Sequence, residues 1–96
     1  MKEKDYVMVR TFSAGVFAGY LKKRNGKEVE LDKARRIWYW AGANSLSQLA
    51  MTGTNQPESC KFSVPVDEML VTEAIEIIKI SETAKKNIQA VPEWKQ

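Results

Sequence analysis

The chain has 96 residues, 15 Lys+Arg against 12 Asp+Glu, and a net charge of +3. It has no histidine and one cysteine. The first removes every mechanism that uses imidazole as acid, base or metal ligand; the second removes an intrachain disulfide and a multi-cysteine zinc site.

This length suits one domain spanning residues 1–96, with one modest core and a tendency to gain further burial by self-association. No apolar run approaches the 18 residues of a spanning helix, and the opening MKEKDYVMVR has charges without an apolar stretch behind them. The expectation is a protein of the reducing cytoplasm with no membrane partner. Charge is uneven along the chain. Residues 1–48 hold 10 basic and 5 acidic residues, and residues 49–96 hold 5 basic and 7 acidic. The basic half suggests an anionic partner, the acidic half argues against a generic nucleic-acid coat, and ordinary solubilising charge explains both equally well.

Taken in order, residues 6–11 (YVMVRT) are β-branched and read as a strand, broken by Ser13-Ala14-Gly15. Residues 16–23 (VFAGYLKK) are apolar on both faces, which predicts a central strand, with Gly19 marking a bulge or a close backbone approach. Asn25-Gly26 then predicts a hairpin turn, since both residues tolerate positive φ. The returning strand is 27–32, with Val29 and Leu31 on one face and three acidic residues on the other. A separate extended segment follows at 34–40, where Ile-Trp-Tyr-Trp favours β.

Ser45-Leu-Ser-Gln48 fits a capping box, so residues 46–52 are expected to be helical, with Leu46, Leu49 and Ala50 on one face and Gly53 as the stop. Residues 53–60 form a loop. Residues 61–71 are extended, at an edge or broken at Pro65, which cannot donate to a ladder. Residues 72–80 are isoleucine-rich and read as strand. Ser81 caps a second helix with Ala84, Ile88 and Val91 inward, Pro92 ends it, and Glu93–Gln96 is a tail carrying Trp94. The expected fold class is α+β, β-rich: an antiparallel sheet or small barrel with two short helices.

Catalysis finds little support. Cys60 lacks a histidine partner, and Lys61 offers it only a slight activation. The carboxylates Asp67/Glu68 and Glu73/Glu76 point to opposite faces of a strand and do not converge. No glycine-rich phosphate loop is present, and no metal or cofactor is expected.

Residues 35–48, RRIWYWAGANSLSQ, are the dense segment. Arg35 and Arg36 are suited to pairing with phosphate, Trp38, Tyr39 and Trp40 to stacking on a base, and the helix start with Asn44, Ser45 and Ser47 to receiving an anion. Arg10 is a further candidate for the same pocket. On a strand, Arg36, Trp38 and Trp40 share one face while Arg35, Ile37 and Tyr39 share the other. A core strand with arginine ends accounts for the same residues without a ligand, and both readings stand at this point.

The stretches VRTFSAGVFAGYL, GKEVELDKARRIWYWAGANSLSQLA, CKFSVPVDEMLVTEAIEII and VPEWK, with the motif A-R-R-I-W-Y-W-x-G-A at 34–43, resemble a family of short phage-encoded proteins of unknown function. The resemblance implies a viral protein acting in the bacterial cytoplasm, and it brings no assigned site residues. The functional expectation is a non-catalytic counter-defence protein that, as a homo-oligomer, sequesters a nucleotide-derived host immune signal in the manner of phage sponges. Alternatives are a protein-binding inhibitor of a host defence or a host-takeover factor, and a nucleic-acid-binding β-domain, which the acidic second half disfavours. A structural role in the virion is a further option.

Overall fold

A computed structural model describes residues 1–95; Gln96, the end of the expected tail, lies outside the described residues. The elements are β1 (Tyr6–Thr11), β2 (Val16–Asn25), β3 (Glu28–Tyr39), α1 (Leu46–Thr52), a 3-10 turn (Pro57–Ser59), β4 (Lys61–Phe62), β5 (Val66–Val71), β6 (Ala74–Lys79) and α2 (Glu82–Ala90). The strands form one antiparallel sheet in the order β4-β3-β2-β1-β6, with β5 also paired to β3. β2 is central, as its two apolar faces require. The sheet does not close, so of the two architectures open to the sequence the barrel is not the one adopted.

Both helices begin where the sequence places them. The Ser45 hydroxyl accepts from Gln48 N, and the Ser81 hydroxyl accepts from Ala84 N. Gln48 reaches one residue further back than a capping box requires, accepting from Asn44 N at 2.9 Å. Asn87 locks the helices together, accepting from Thr54 N and donating to Thr54 O, both at 2.8 Å.

Two details of the strands differ from the sequence reading, and a third, the break it allowed at Pro65, is present. Residues 27–32 and 34–40 are not two strands. They belong to the single twelve-residue β3, which carries Lys33 at φ +52°. At the turn, Asn25 pairs with Glu28 and only Gly26 takes positive φ (+60°), so the two-residue loop is Gly26-Lys27 with glycine first, the arrangement of a type II′ hairpin. Pro65 divides the 61–71 segment into β4 and β5.

The long β2–β3 hairpin is bent. Ala18 pairs with Arg35 and Tyr20 with Asp32, so β3 contributes one extra residue opposite Gly19. The surplus residue and the positive φ of Lys33 are a β-bulge, which bends a strand and increases its twist. Gly19 is buried at the inside of this bend. A Cβ placed there would lie 3.0 Å from Ala34 Cα and 3.1 Å from Asp32 O.

The extent of the bend follows from two contacts. Ala74 pairs with Thr11, beside the Arg10–Val16 end of the sheet, yet Ala74 N also donates to Lys27 O at 3.0 Å. In a flat sheet Val16 and Lys27 would be about 35 Å apart. The hairpin therefore folds over the inner face of the sheet.

This creates two cores. One lies under the helices and gathers Met8, Ala18, Ile37, Leu49, Phe62, Ala84 and Ile88, with Tyr6 at its margin. The other is enclosed by the rolled sheet alone: Val7 and Val9 from β1, Phe17 and Leu21 from β2, Val29, Leu31 and Ala34 from β3, and Val71 from β5, with Ile77 of β6 against them. Each fully buried large aliphatic or aromatic side chain contributes roughly 1.5–3 kcal/mol.

Replacing Gly19 by Val should therefore cost about 2–3 kcal/mol in urea unfolding, since the added atoms meet backbone that cannot move without opening the bend. Lys33→Gly should be neutral or stabilising at the same bulge, because glycine adopts its φ without strain.

Candidate functional site

Strand alternation separates the two central arginines. Arg35 points under the helices and is 3% exposed. Its Nε donates to Ser63 O at 2.8 Å, and its Nη1 donates to Ile88 O at 3.0 Å and Val91 O at 2.8 Å. The last two are carbonyls at the end of α2, so a cation caps the negative end of that helix. Burial lowers the Arg35 pKa, partly opposed by the fields of Tyr6 and Glu93. Arg36 lies on the other face, half-buried, with its guanidinium 4.9 Å from the centre of the Phe17 ring. The two guanidiniums do not converge on one ligand.

The other expected site residues divide similarly. Arg10 is exposed and paired with Glu76 at 3.1 Å. The Ser45 hydroxyl and the Asn44 backbone N–H are engaged in the cap of α1, and Ser47 is exposed on the first turn. Trp40 lies beyond the end of β3, where alternation no longer applies. It packs against the core under the helices rather than sharing a face with Trp38.

What remains outward is aromatic. Trp38 is 52% exposed, Tyr39 51% and Trp94 37%. Trp38 and Trp94 meet edge-to-face, with ring centres 5.7 Å apart. The Lys61 ammonium stands 5.0 Å from the Trp94 ring centre and 6.0 Å from that of Tyr39. The backbone explains the grouping. Tyr39 pairs with Lys61 across β3 and β4, and the tail runs parallel to β4, with Glu93 bridged to Phe62 and Trp94 N donating to Phe62 O at 2.9 Å.

Lys61 and Trp94 are the members that sequence reasoning left out of the site. Lys61 gives no signal of its own. Trp94 was visible as a large ring in a short tail after a proline, away from any periodic apolar face. Among the described residues neither Lys61 nor Arg36 has a carboxylate within ion-pair distance.

The carboxylates weighed above as acid pairs each have another partner among the described residues. Asp67 binds Lys33 at 2.9 Å, Glu68 binds Lys22 at 3.1 Å, and Glu73 accepts from the Ser13 hydroxyl at 2.8 Å. The basic first half of the sequence thus meets the acidic second half in Arg10–Glu76, Lys22–Glu68 and Lys33–Asp67, which pairs three of its ten cations across the sheet. Cys60 is buried, its thiol facing the carbonyls of Ala41 and Gln56. Among the described residues no cluster of metal-ligating side chains occurs, and no helix is long and apolar enough to cross a membrane.

Over residues 4–88 the sequence matches the family described as Domain of unknown function (DUF6948). The chain belongs to this family. The match includes Trp38, Tyr39 and Lys61 and stops short of Trp94. No curated protein and no solved structure matches the chain.

Two buried groups test this geometry. Arg35→Met should lower stability by about 3 kcal/mol in chemical unfolding, because three carbonyls lose their donor. The Tyr6 hydroxyl is buried without a hydrogen-bond partner, and burial pushes its pKa up to about 12, with Arg35 opposing and Tyr20 adding to the shift. The folded value exceeds the unfolded one, so this contribution to stability is complete below pH 10 and is lost as pH rises toward 12. Tyr6→Phe should remove that alkaline loss, on the order of 2 kcal/mol, while leaving stability at pH 7 equal or higher. Parallel unfolding titrations of the two proteins measure the difference.

Proposed function

We propose that the chain is a phage-encoded, non-catalytic binding protein that acts against a host defence or host-takeover target in the bacterial cytoplasm, and that it engages a protein partner through the Trp38–Tyr39–Trp94 edge. The carrying observation is the exposure of these three rings in one cluster, around a lysine that has no carboxylate among the described residues. Trp and Tyr dominate the energetics of protein interfaces because they bury a large area at low entropic cost. An open edge also suits a macromolecular surface better than a small molecule, which is normally held in a cavity of roughly 300–1,000 Å³. The phage origin and the host compartment rest on the family resemblance.

A second reading is favoured by Lys61. An ammonium beside stacking faces is also what a nucleotide-derived immune signal requires, one face for the base and one charge for the phosphate. A single open edge would hold such a signal weakly, so sequestration requires a second copy to supply the opposite wall.

Native and denaturing mass spectrometry of the protein recovered from a bacterial host separates the two readings. The expected result is a stoichiometric protein partner, with Trp38→Ala and Trp94→Ala each weakening the complex by about thirtyfold while the circular dichroism spectrum is unchanged. A nucleotide released intact on denaturation supports sequestration instead. A hydrolysed product overturns both readings.

A further inference from the structure

The sheet has an open edge remote in strand order from the aromatic cluster. β6 pairs only with β1. Ile80 N donates inward to Tyr6 O, so by antiparallel alternation the backbone groups of Ile77 and Lys79 point away from β1; the register skips Ile75 between Glu76 and Ala74, a bulge at which the alternation is interrupted. Open edges of this kind are usually shortened, bulged or interrupted by proline. β6 has no proline and is bulged at Ile75, near its start, which leaves a regular outer edge from Ile77 to Lys79; the Ile75 side chain is 50% exposed.

The space beside this edge is shaped. The folded-over hairpin touches β6 only at its start, through the hydrogen bond from Ala74 N to Lys27 O. Beyond that contact lies a cavity of about 190 Å³ whose lining includes Met1, Arg24, Gly26, Ala74, Ile75 and Ile77. It is closed at the Ala74 end and can seat one aliphatic side chain. Arg24 stands in its wall. Its Nε donates to Gly26 O at 3.1 Å, and no carboxylate pairs with it among the described residues. The one carboxylate in the lining, Glu76, is bound to Arg10.

We propose that this edge captures the C-terminal segment of a partner protein. A row of unpaired backbone groups is satisfied only by another extended backbone, so the occupant is a peptide strand. The closed end admits a chain terminus and blocks a chain that continues. The free guanidinium at that end selects a carboxylate. The peptide therefore runs antiparallel to β6, pairs with Ile77 and Lys79, places an aliphatic last side chain in the cavity beside Ile75, and presents its terminal carboxylate to Arg24.

The probe is a synthetic library of decapeptides randomised in the last four positions, prepared both as free acids and as C-terminal amides and passed over the immobilised full chain. Free acids ending in an aliphatic residue should be enriched at least about tenfold over their amides, and Arg24→Ala and Ile75→Lys should each abolish the enrichment while the protein stays folded by circular dichroism. The recovered peptides should slow hydrogen exchange at Ile77 and Lys79. The proposal is overturned if amides bind as well as acids, if nothing is enriched, or if Arg24→Ala changes nothing. It is also overturned if native mass spectrometry finds a dimer that Ile75→Lys dissociates, since a second copy would then occupy the edge.

Discussion

The close approach of Gly19 to the backbone of Ala34 and Asp32 governs the architecture. At that point β3 carries a surplus residue, and the bulge at Lys33 bends the hairpin. A side chain on residue 19 would hold the two strands too far apart for the bend. Once it forms, the distal half of the hairpin folds over the sheet, and a second core appears without any helix to cover it. A chain of 96 residues with two short helices could not otherwise cover both faces of so large a sheet. The rolled shape also fixes where the sheet stays open, because the hairpin meets β6 at one end and leaves the rest of that edge unpaired.

Arg35 plays the corresponding part for the helix layer. A buried guanidinium is tolerable only when its donors find acceptors, and here the acceptors are carbonyls at irregular points of the chain: one at the break between β4 and β5, and two at the end of α2, of which Ile88 O also accepts from Val91 N. The side chain ties a strand, a strand break and a helix end together at one point. The residue most readily taken from the sequence as a phosphate ligand is in this way a fastener of the fold, and its neighbour Arg36 is turned to the opposite face by the ordinary alternation of a strand.

The local signals were legible and the non-local ones were not. Ser45 and Ser81 as caps, Gly53 as a stop, the central position of β2 and the interruption at Pro65 are decided by residues within a few positions of one another. Gly19 was legible as a point of close approach. The partner it approaches, and therefore the bend, was hidden in the pairing of residues some fifteen positions apart. The continuity of β3 was missed for the same reason: Lys33 looks like a break between two runs, and only the flanking strands show that the ladder passes through it. At the site, Trp38 and Tyr39 were identified from composition. Lys61 and Trp94 were not, because each reaches the cluster through β4, a two-residue strand with no sequence signature. The charge asymmetry was misleading in a related way. Antiparallel pairing of the first half with the second places Lys22, Lys33 and Arg10 beside Glu68, Asp67 and Glu76.

The two candidate surfaces share one physical origin. A small domain that uses its interior entirely for its own two cores has no volume left for a deep pocket, so recognition falls to the margins of the sheet. At one margin, β4 is covered by the tail, whose backbone meets the strand and whose Trp94 ring adds to Trp38; the backbone groups there are engaged, and side-chain faces are what the surface offers. At the other, no strand pairs with the outer side of β6 among the described residues, and the backbone groups of Ile77 and Lys79 are offered beside Arg24. The chemistry of each margin thus follows from whether the chain returns to pair with it. A surface of rings selects partners by shape and area, whereas a row of amides and carbonyls beside a guanidinium selects an extended chain carrying a negative end.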